Sequence, residues 1–325
     1  MGYNTSDHVE IINRLMVDGA IDGDKVLEYY GGVLAQLEEI IVRENLVTLP
    51  EREAGIRVAS AAETAAFPVP YAELPPLINN TGEFPYFVLP LIEQNEDGTW
   101  QKNGFVYEAF AWTLTAHEAR PGHEMQFSAM IESGVSNARA IFAVNSATTE
   151  GWGVYSEWTI MYPYMPIEAQ LCSLQSRLWR AARMFLDPQL NLGLTTQEEV
   201  SRVFVEEVGL TEGQAQAEVN RYTFQIPGQA TAYTYGFLEL QELRAAVELE
   251  LGDSFDQQPF HDCILAQGIL PFDILKSGVM EEFVPSVMAS EETESDSSSS
   301  TNSRTMALRT RSTTLAFIVL LLWWY

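Results

Sequence analysis

Along most of this chain apolar residues recur at three- and four-residue intervals, the period of helices that bury one face. Ile11, Ile12, Leu15 and Met16, then Val33, Leu34, Leu37, Ile40 and Ile41, predict helix over residues 6–46 with a break at 19–23, where glycines gather. Residues 50–100 abandon that period for proline-rich stretches and short β-prone runs. Among these, Phe84-Pro85-Tyr86-Phe87-Val88-Leu89-Pro90 predicts an edge strand, where proline is tolerated. Asn95-Glu96-Asp97-Gly98 predicts a hairpin turn. An edge strand of this kind is a place where an extended peptide can dock by strand addition. The helical period then returns and predicts helices at 105–120, 122–134, 139–162, 167–186, 196–208, 212–225, 228–251 and 256–267. Thr196-Gln197-Glu198-Glu199 and Thr211-Glu212-Gly213-Gln214 open two of them as capping boxes. Ile226-Pro227-Gly228 marks the start of another. The class predicted is mainly α, an α+β arrangement with a small β-sheet or hairpin region.

The pattern stops at Ala289. Residues 291–305 (EETESDSSSSTNSRT) are acidic, serine-rich and too poor in apolar side chains to fold. After Arg304, Arg309 and Arg311 comes an apolar run at 315–325, well short of the roughly 20 residues a spanning helix needs. The expected organisation is therefore a helical segment at 1–49, a main domain at 50–288, a linker at 289–312 and an apolar tail at 313–325. Small residues, a polar spacer and a short apolar end form the pattern of a lipid-anchor signal, with attachment at Ser297 to Ser303. A short tail anchor, or a tail without a task, are the alternatives. An anchor signal acts only in the secretory pathway, yet Met1-Gly2-Tyr3-Asn4 is no signal peptide. The expectation is that an upstream segment is missing. The protein would then sit at a membrane or cell surface, with Asn4-Thr5-Ser6 and Asn79-Asn80-Thr81 as glycosylation acceptors. A complete chain would instead be cytoplasmic.

Length and charge narrow the field. A chain of 325 residues fits one large domain or two moderate ones. Forty-five acidic against 18 basic residues leave a net charge of −27, which excludes nucleic acid as a partner. On an enzyme such a field favours neutral or cationic substrates. Cys172 and Cys263 form neither a disulfide framework nor a cysteine metal site. Both sit in apolar helical patterns as small hydrophobes, a single bridge being the alternative.

Candidate chemistry concentrates at His117-Glu118-Ala119-Arg120-Pro121-Gly122-His123 and Thr149-Glu150-Gly151-Trp152. Two histidines, an adjacent glutamate and a later glutamate are the parts of a hydrolytic zinc site. Six residues on an unbroken helix turn through roughly 600°, about 240° net, so His123 would face away from His117. Pro121 and Gly122 break the helix inside that gap and can return His123 to the same face. Without such a return, the segment is a helix end and a Pro-Gly turn needing no metal. Residues 106–116 are apolar enough for a buried helix, and Glu150 and Glu157 share a face two turns apart on the next one.

HEARPGHEMQ, TEGWGVYSE, RLWRAARMFLD, IPGQATAYTYGFLELQELR and FHDCILAQGILPFDIL, in that order, resemble the motif series of the domain of unknown function 885 family, a group of predicted zinc metallopeptidases. The likeness runs from about Arg57 to about Leu275. It implies a zincin-like, gluzincin-type domain, with His117, His123 and Glu150 as zinc ligands, Glu118 as general base and Tyr233 as a hydrogen-bond donor to the oxyanion. The chain departs from the family at Glu124, where members often carry a second histidine. It departs again at Asn191, which ends Leu186-Asp187-Pro188-Gln189-Leu190-Asn191 where members read V-D-T-G-x-H. Members also carry a helical N-terminal half, so this chain resembles the C-terminal catalytic half.

The expected function is zinc-dependent hydrolysis of peptide bonds, with a peptide as substrate and membrane association through the tail. The alternative is an inactive, metal-binding interaction module at a surface. Arg244 follows Tyr233 on nearly the same helix face and is a candidate for a substrate carboxylate, or for a structural glutamate. His261, beside Asp262, is a second substrate-binding candidate, or a structural hydrogen-bonder.

Overall fold

The structure, a computed structural model, describes residues 3–94, 99–143 and 145–290. Asp7 caps the first helix, α1 (His8–Asp18), by accepting hydrogen bonds from the amides of Val9 and Glu10. α2 (Val26–Arg43) turns Tyr30, Val33, Leu37 and Ile41 inward. A three-stranded sheet follows from β1 (Gly55–Val58), β2 (Tyr71–Glu73) and β3 (Tyr86–Leu89), with the short capped helix α3 (Ala61–Ala66) between the first two.

The strand order is β1-β3-β2, with β3 parallel to β1 and antiparallel to β2. This corrects the edge-strand expectation. Phe87, Val88 and Leu89 are all buried, and a run apolar on both faces belongs inside a sheet. Pro85 and Pro90 flank the strand without interrupting its ladder. With both sides of β3 paired, it has no free edge for strand addition. β4 (Ile92–Gln94) and β5 (Trp100–Lys102) form the antiparallel hairpin that was expected, though its turn, Asn95 to Gly98, lies outside the described residues.

The rest is helical. α4 (Glu108–Leu114) widens into a π-helical turn at Thr115–Ala119, and α5 (His123–Ser133) and α6 (Asn137–Phe142) follow. α7 (Ser146–Tyr155) widens likewise at Ser156–Met161. The single helix expected at 139–162 is thus two, because Asn145 caps α7 through the Thr148 amide and ties it to the Ile269 carbonyl. α8 (Ile167–Asn191) outruns its expected end at 186, since Pro188 falls in the last turn and interrupts little. α9 (Gln197–Arg202), α10 (Glu212–Asn220), α11 (Ala232–Leu251), α12 (Gln257–Gln267) and α13 (Phe272–Gly278) complete the order. Helix continues past α13 to residue 290, a stretch for which no helix was expected.

One hydrophobic core runs from Leu15 to Val284. α2 belongs to it: the Tyr30 ring meets Phe87 edge-on, with centroids 5.7 Å apart. The boundary expected at 49/50 therefore separates no cores. α7 and α11 approach through glycines. A Cβ on Gly236 would stand 1.9 Å from the Ala147 carbonyl oxygen, and one on Gly151 would stand 2.5 Å from the Gly236 backbone. That approach brings the helix carrying Tyr233 against the helix carrying Glu150. Cys172 and Cys263 are free thiols. No helix among the described residues is long and apolar enough to cross a membrane. The linker beyond residue 290, Ser297 to Ser303 and the apolar tail lie outside the described residues.

Candidate metal centre

The widened turn at Thr115–Ala119 carries His117 and Glu118, and local widening of this kind rephases side chains on a helix. Arg120 is extended, the Arg120–Pro121 peptide is cis, and Gly122 caps α5 so that the new helix begins at His123. A Cβ on Gly122 would lie 1.8 Å from the His117 carbonyl oxygen, so only glycine lets the chain fold back this tightly. A set of buried contacts holds the turn. Trp152 donates its indole N–H to the Pro121 carbonyl (2.8 Å), joining the two motifs directly. The buried Arg120 guanidinium reaches Glu124 (2.7 Å), Glu38 (2.7 Å) and the Arg52 carbonyl (2.5 Å). Glu124 also accepts from Ser128, so the position where the family often has histidine does structural work here.

The result brings His117, His123 and Glu150 together. Glu150 Oε2 lies 3.5 Å from His117 Nε2 and 3.4 Å from His123 Nε2, and all three ligand atoms lie within 4.8 Å of one another. Ligand atoms about 2.0–2.1 Å from a tetrahedral zinc ion stand roughly 3.3–3.4 Å apart, so two edges of this triangle already match. Two imidazole nitrogens and one carboxylate oxygen also suit zinc chemically. Glu118 stands beside the triangle, its Oε1 4.0 Å from His117 Nε2. Behind it, Glu157 approaches His117 Nδ1 at 2.6 Å, off the N–H axis, as an ion-pair contact. Glu157 is fully buried and is held by Ser176 (2.6 Å) and Arg180 (3.3 Å). A carboxylate behind a ligand histidine fixes the ring and raises its basicity. Gly153 gives His117 its space, because a Cβ there would stand 2.6 Å from the ring.

Charge is concentrated accordingly. Burial opposes a charge on His117, but the carboxylates of Glu157, Glu150 and Glu118 outweigh it and raise its pKa to about 9. Burial likewise works against ionised Glu150, yet hydrogen bonding to the two histidines holds its carboxyl well below the usual range. Glu118 goes the other way. Burial raises its pKa, and the negative charge of Glu150 adds to that against the pull of the histidines.

Tyr233 stacks on His117, with ring centroids 6.2 Å apart and planes at 16°. Its hydroxyl accepts a hydrogen bond from Arg221 (2.9 Å), which also donates to Gln229 Oε1 (2.5 Å). Gln229 in turn donates to Glu150 Oε1 (3.2 Å). The loop bearing Gln229 is fastened by Asp187, which accepts from the amides of Gly228 (2.9 Å) and Ala230 (3.1 Å). Asn191 donates to Asp187 and to the Tyr222 carbonyl, and so supports that fastening.

The two substrate-binding candidates each have structural partners. Arg244 pairs with Glu248 (2.6 Å) and donates to the Tyr155 hydroxyl (3.1 Å). His261 is fully buried, with Nε2 2.9 Å from that hydroxyl and Nδ1 2.6 Å from the Leu46 carbonyl. Burial lowers its pKa to about 3, so it is neutral, accepting from Tyr155 and donating to Leu46. Glu157, Gln229 and Arg221 went unrecognised as parts of the site. For Glu157 the signal was present, since it shares a helix face with Glu150.

These features define a mainly helical protein with a largely buried His-His-Glu centre. Its sequence matches, over residues 2–279, the family described as "Bacterial protein of unknown function (DUF885)", and the chain belongs to that family. No curated protein matches it. Among solved structures, a "putative lipoprotein" from Colwellia psychrerythraea is similar at 24% identity and TM-score 0.74, covering 85% of this chain and 47% of its own. Another, a "putative lipoprotein of unknown function" from Shewanella oneidensis, has 22% identity and TM-score 0.72, covering 86% and 51% respectively. The chain thus spans about half the length of these relatives, and at such identities the likeness is one of fold.

Proposed function

We propose that the protein is a zinc-dependent hydrolase of peptide bonds with a zincin-like, gluzincin-type site, corresponding to the catalytic half of a longer architecture. The observation that carries this reading is the convergence of His117 Nε2, His123 Nε2 and Glu150 Oε2 beside an uncommitted glutamate, Glu118. His117, His123 and Glu150 would hold the ion, which when bound supplies Lewis acidity and lowers the pKa of a water molecule to about 7. Glu118 takes the proton from the attacking water and passes it to the departing amine nitrogen as the amide C–N bond breaks. Burial, which raises its pKa, favours the form that carries the proton between the two transfers. Tyr233 donates its hydroxyl hydrogen to the developing oxyanion, with Arg221 orienting the hydroxyl. Glu157 and Gly153 keep His117 in place.

Surface attachment is part of the proposal. The two similar lipoproteins and the anchor-like pattern at the C-terminal end support it. The test is cleavage of a mixed peptide library by the zinc-loaded chain, with Glu118→Gln as control. Glu118→Gln is expected to keep its metal and lose about 10²–10⁴-fold in rate. Bound zinc without cleavage in the unsubstituted chain would favour the surface-attached binding module.

A further inference from the structure

Arg221 differs from the other enclosed arginines. Arg120, Arg180 and Arg183 each meet a carboxylate, from Glu124, Glu157 and Glu218 respectively. Among the described residues Arg221 meets none. Its Nη2 serves Gln229 and Tyr233, and its Nε is buried without an acceptor. Three of the five guanidinium N–H groups therefore remain for another partner. In a chain with 45 acidic residues, a largely enclosed cation with no carboxylate in direct contact is informative: burial works against its charge, and Glu218 and Glu150 favour it only from beyond ion-pair distance.

Arg221 also lines a cavity of about 550 Å³, whose walls include Phe67, Phe105, Gln214, Asn220 and Gln225. Other charges there are spoken for. Glu218 is clasped by both prongs of Arg183 (2.7 and 2.5 Å) and by the Tyr222 hydroxyl (2.6 Å). Glu93 accepts from Gln101, Thr211 and the Gly104 amide, and burial raises its pKa. Arg221 is the cationic side chain in this wall. The bridge through the Gln229 amide keeps Arg221 Nη2 within about 8 Å of a Glu150 oxygen. That is the span of roughly two extended residues.

We propose that Arg221 binds the C-terminal carboxylate of a short peptide seated in this cavity, so that the bond cleaved lies one or two residues from that terminus. This rests on the hydrolase reading and gives it a substrate class. A planar guanidinium fork matches a carboxylate, and a short peptide brings only that one anion into a strongly acidic protein. The binding arm of the test needs no turnover. Calorimetry compares the tripeptide Ala-Ala-Phe as free acid and as C-terminal amide on the zinc-loaded Glu118→Gln chain, and on the metal-free chain, where no ion can take the carboxylate. The free acid is expected to bind at least about tenfold more tightly in both. Adding Arg221→Gln should bring the two affinities together, and Arg221→Lys should restore part of the difference. Equal binding of acid and amide, binding of neither, or an equal loss for both on Arg221→Gln overturns the proposal. The last pattern would mean that Arg221 only positions Tyr233. If Arg221→Gln fails to fold, the acid-to-amide ratio on the parent chain decides. Acid preference without cleavage by the zinc-loaded unsubstituted chain would remove the hydrolase reading and leave the carboxylate site. Cleavage only at internal bonds would overturn the register.

Discussion

Three contacts decide where His117 points: Glu157 behind its ring, Gly153 beneath it, and Tyr233 stacked against it. Against the effect of burial, the carboxylates of Glu157, Glu150 and Glu118 also make it unusually basic, which has a consequence for pH. Its folded pKa of about 9 lies above the ordinary 6.5, so in the metal-free protein the stability it contributes is full below pH 6.5 and is lost as pH rises towards 9. A metal needs the same nitrogen unprotonated, so metal affinity rises over that window. The gap in Tm between metal-loaded and metal-free protein should therefore widen from pH 6.5 to 9. A gap that stays flat or narrows contradicts this account. At this scale the sequence carried the three side chains that converge, because histidine and glutamate types are visible in a string. It did not carry Arg221, whose significance is the lack of a carboxylate partner, a tertiary property. For Arg244 the sequence left a substrate carboxylate and a structural glutamate both open, and the structure places Glu248 and the Tyr155 hydroxyl against it.

Elements matter here through their interruptions. The widened turn, the extended Arg120 and Gly122 bring together two histidines that a regular helix would point apart. Pro121 and Gly122 announced the break, but the π-helical widening was not legible, since one extra residue per turn barely disturbs an apolar period. The helices themselves were largely readable, and β3 was misplaced because flanking prolines look alike at an edge and at the ends of a central strand. The α7–α11 contact joins glycines 85 positions apart and leaves no local signal. Gly236→Ala should destabilise the fold by about 1–3 kcal/mol or more in urea unfolding, since its Cβ would meet backbone. Gly31→Ala, within α2 and with nothing within 4 Å, should instead stabilise by about 0.5–1 kcal/mol. Equal effects would mean that α7 and α11 do not pack through their glycines.

For the whole molecule, charge is the dominant fact. A net charge of −27 on one folded core is self-repulsive, so Tm should rise as salt increases from very low levels to roughly 0.15 M. A Tm that falls with salt would point to specific ion pairs outweighing the net field. The proposed function depends on the centre being a metal site. Zinc per chain, measured by atomic spectrometry after reconstitution and exhaustive dialysis, tests that most directly. About one zinc is predicted in both the unsubstituted and Glu118→Gln proteins, and almost none in His123→Ala. Folded, unsubstituted protein that retains no zinc would contradict the account.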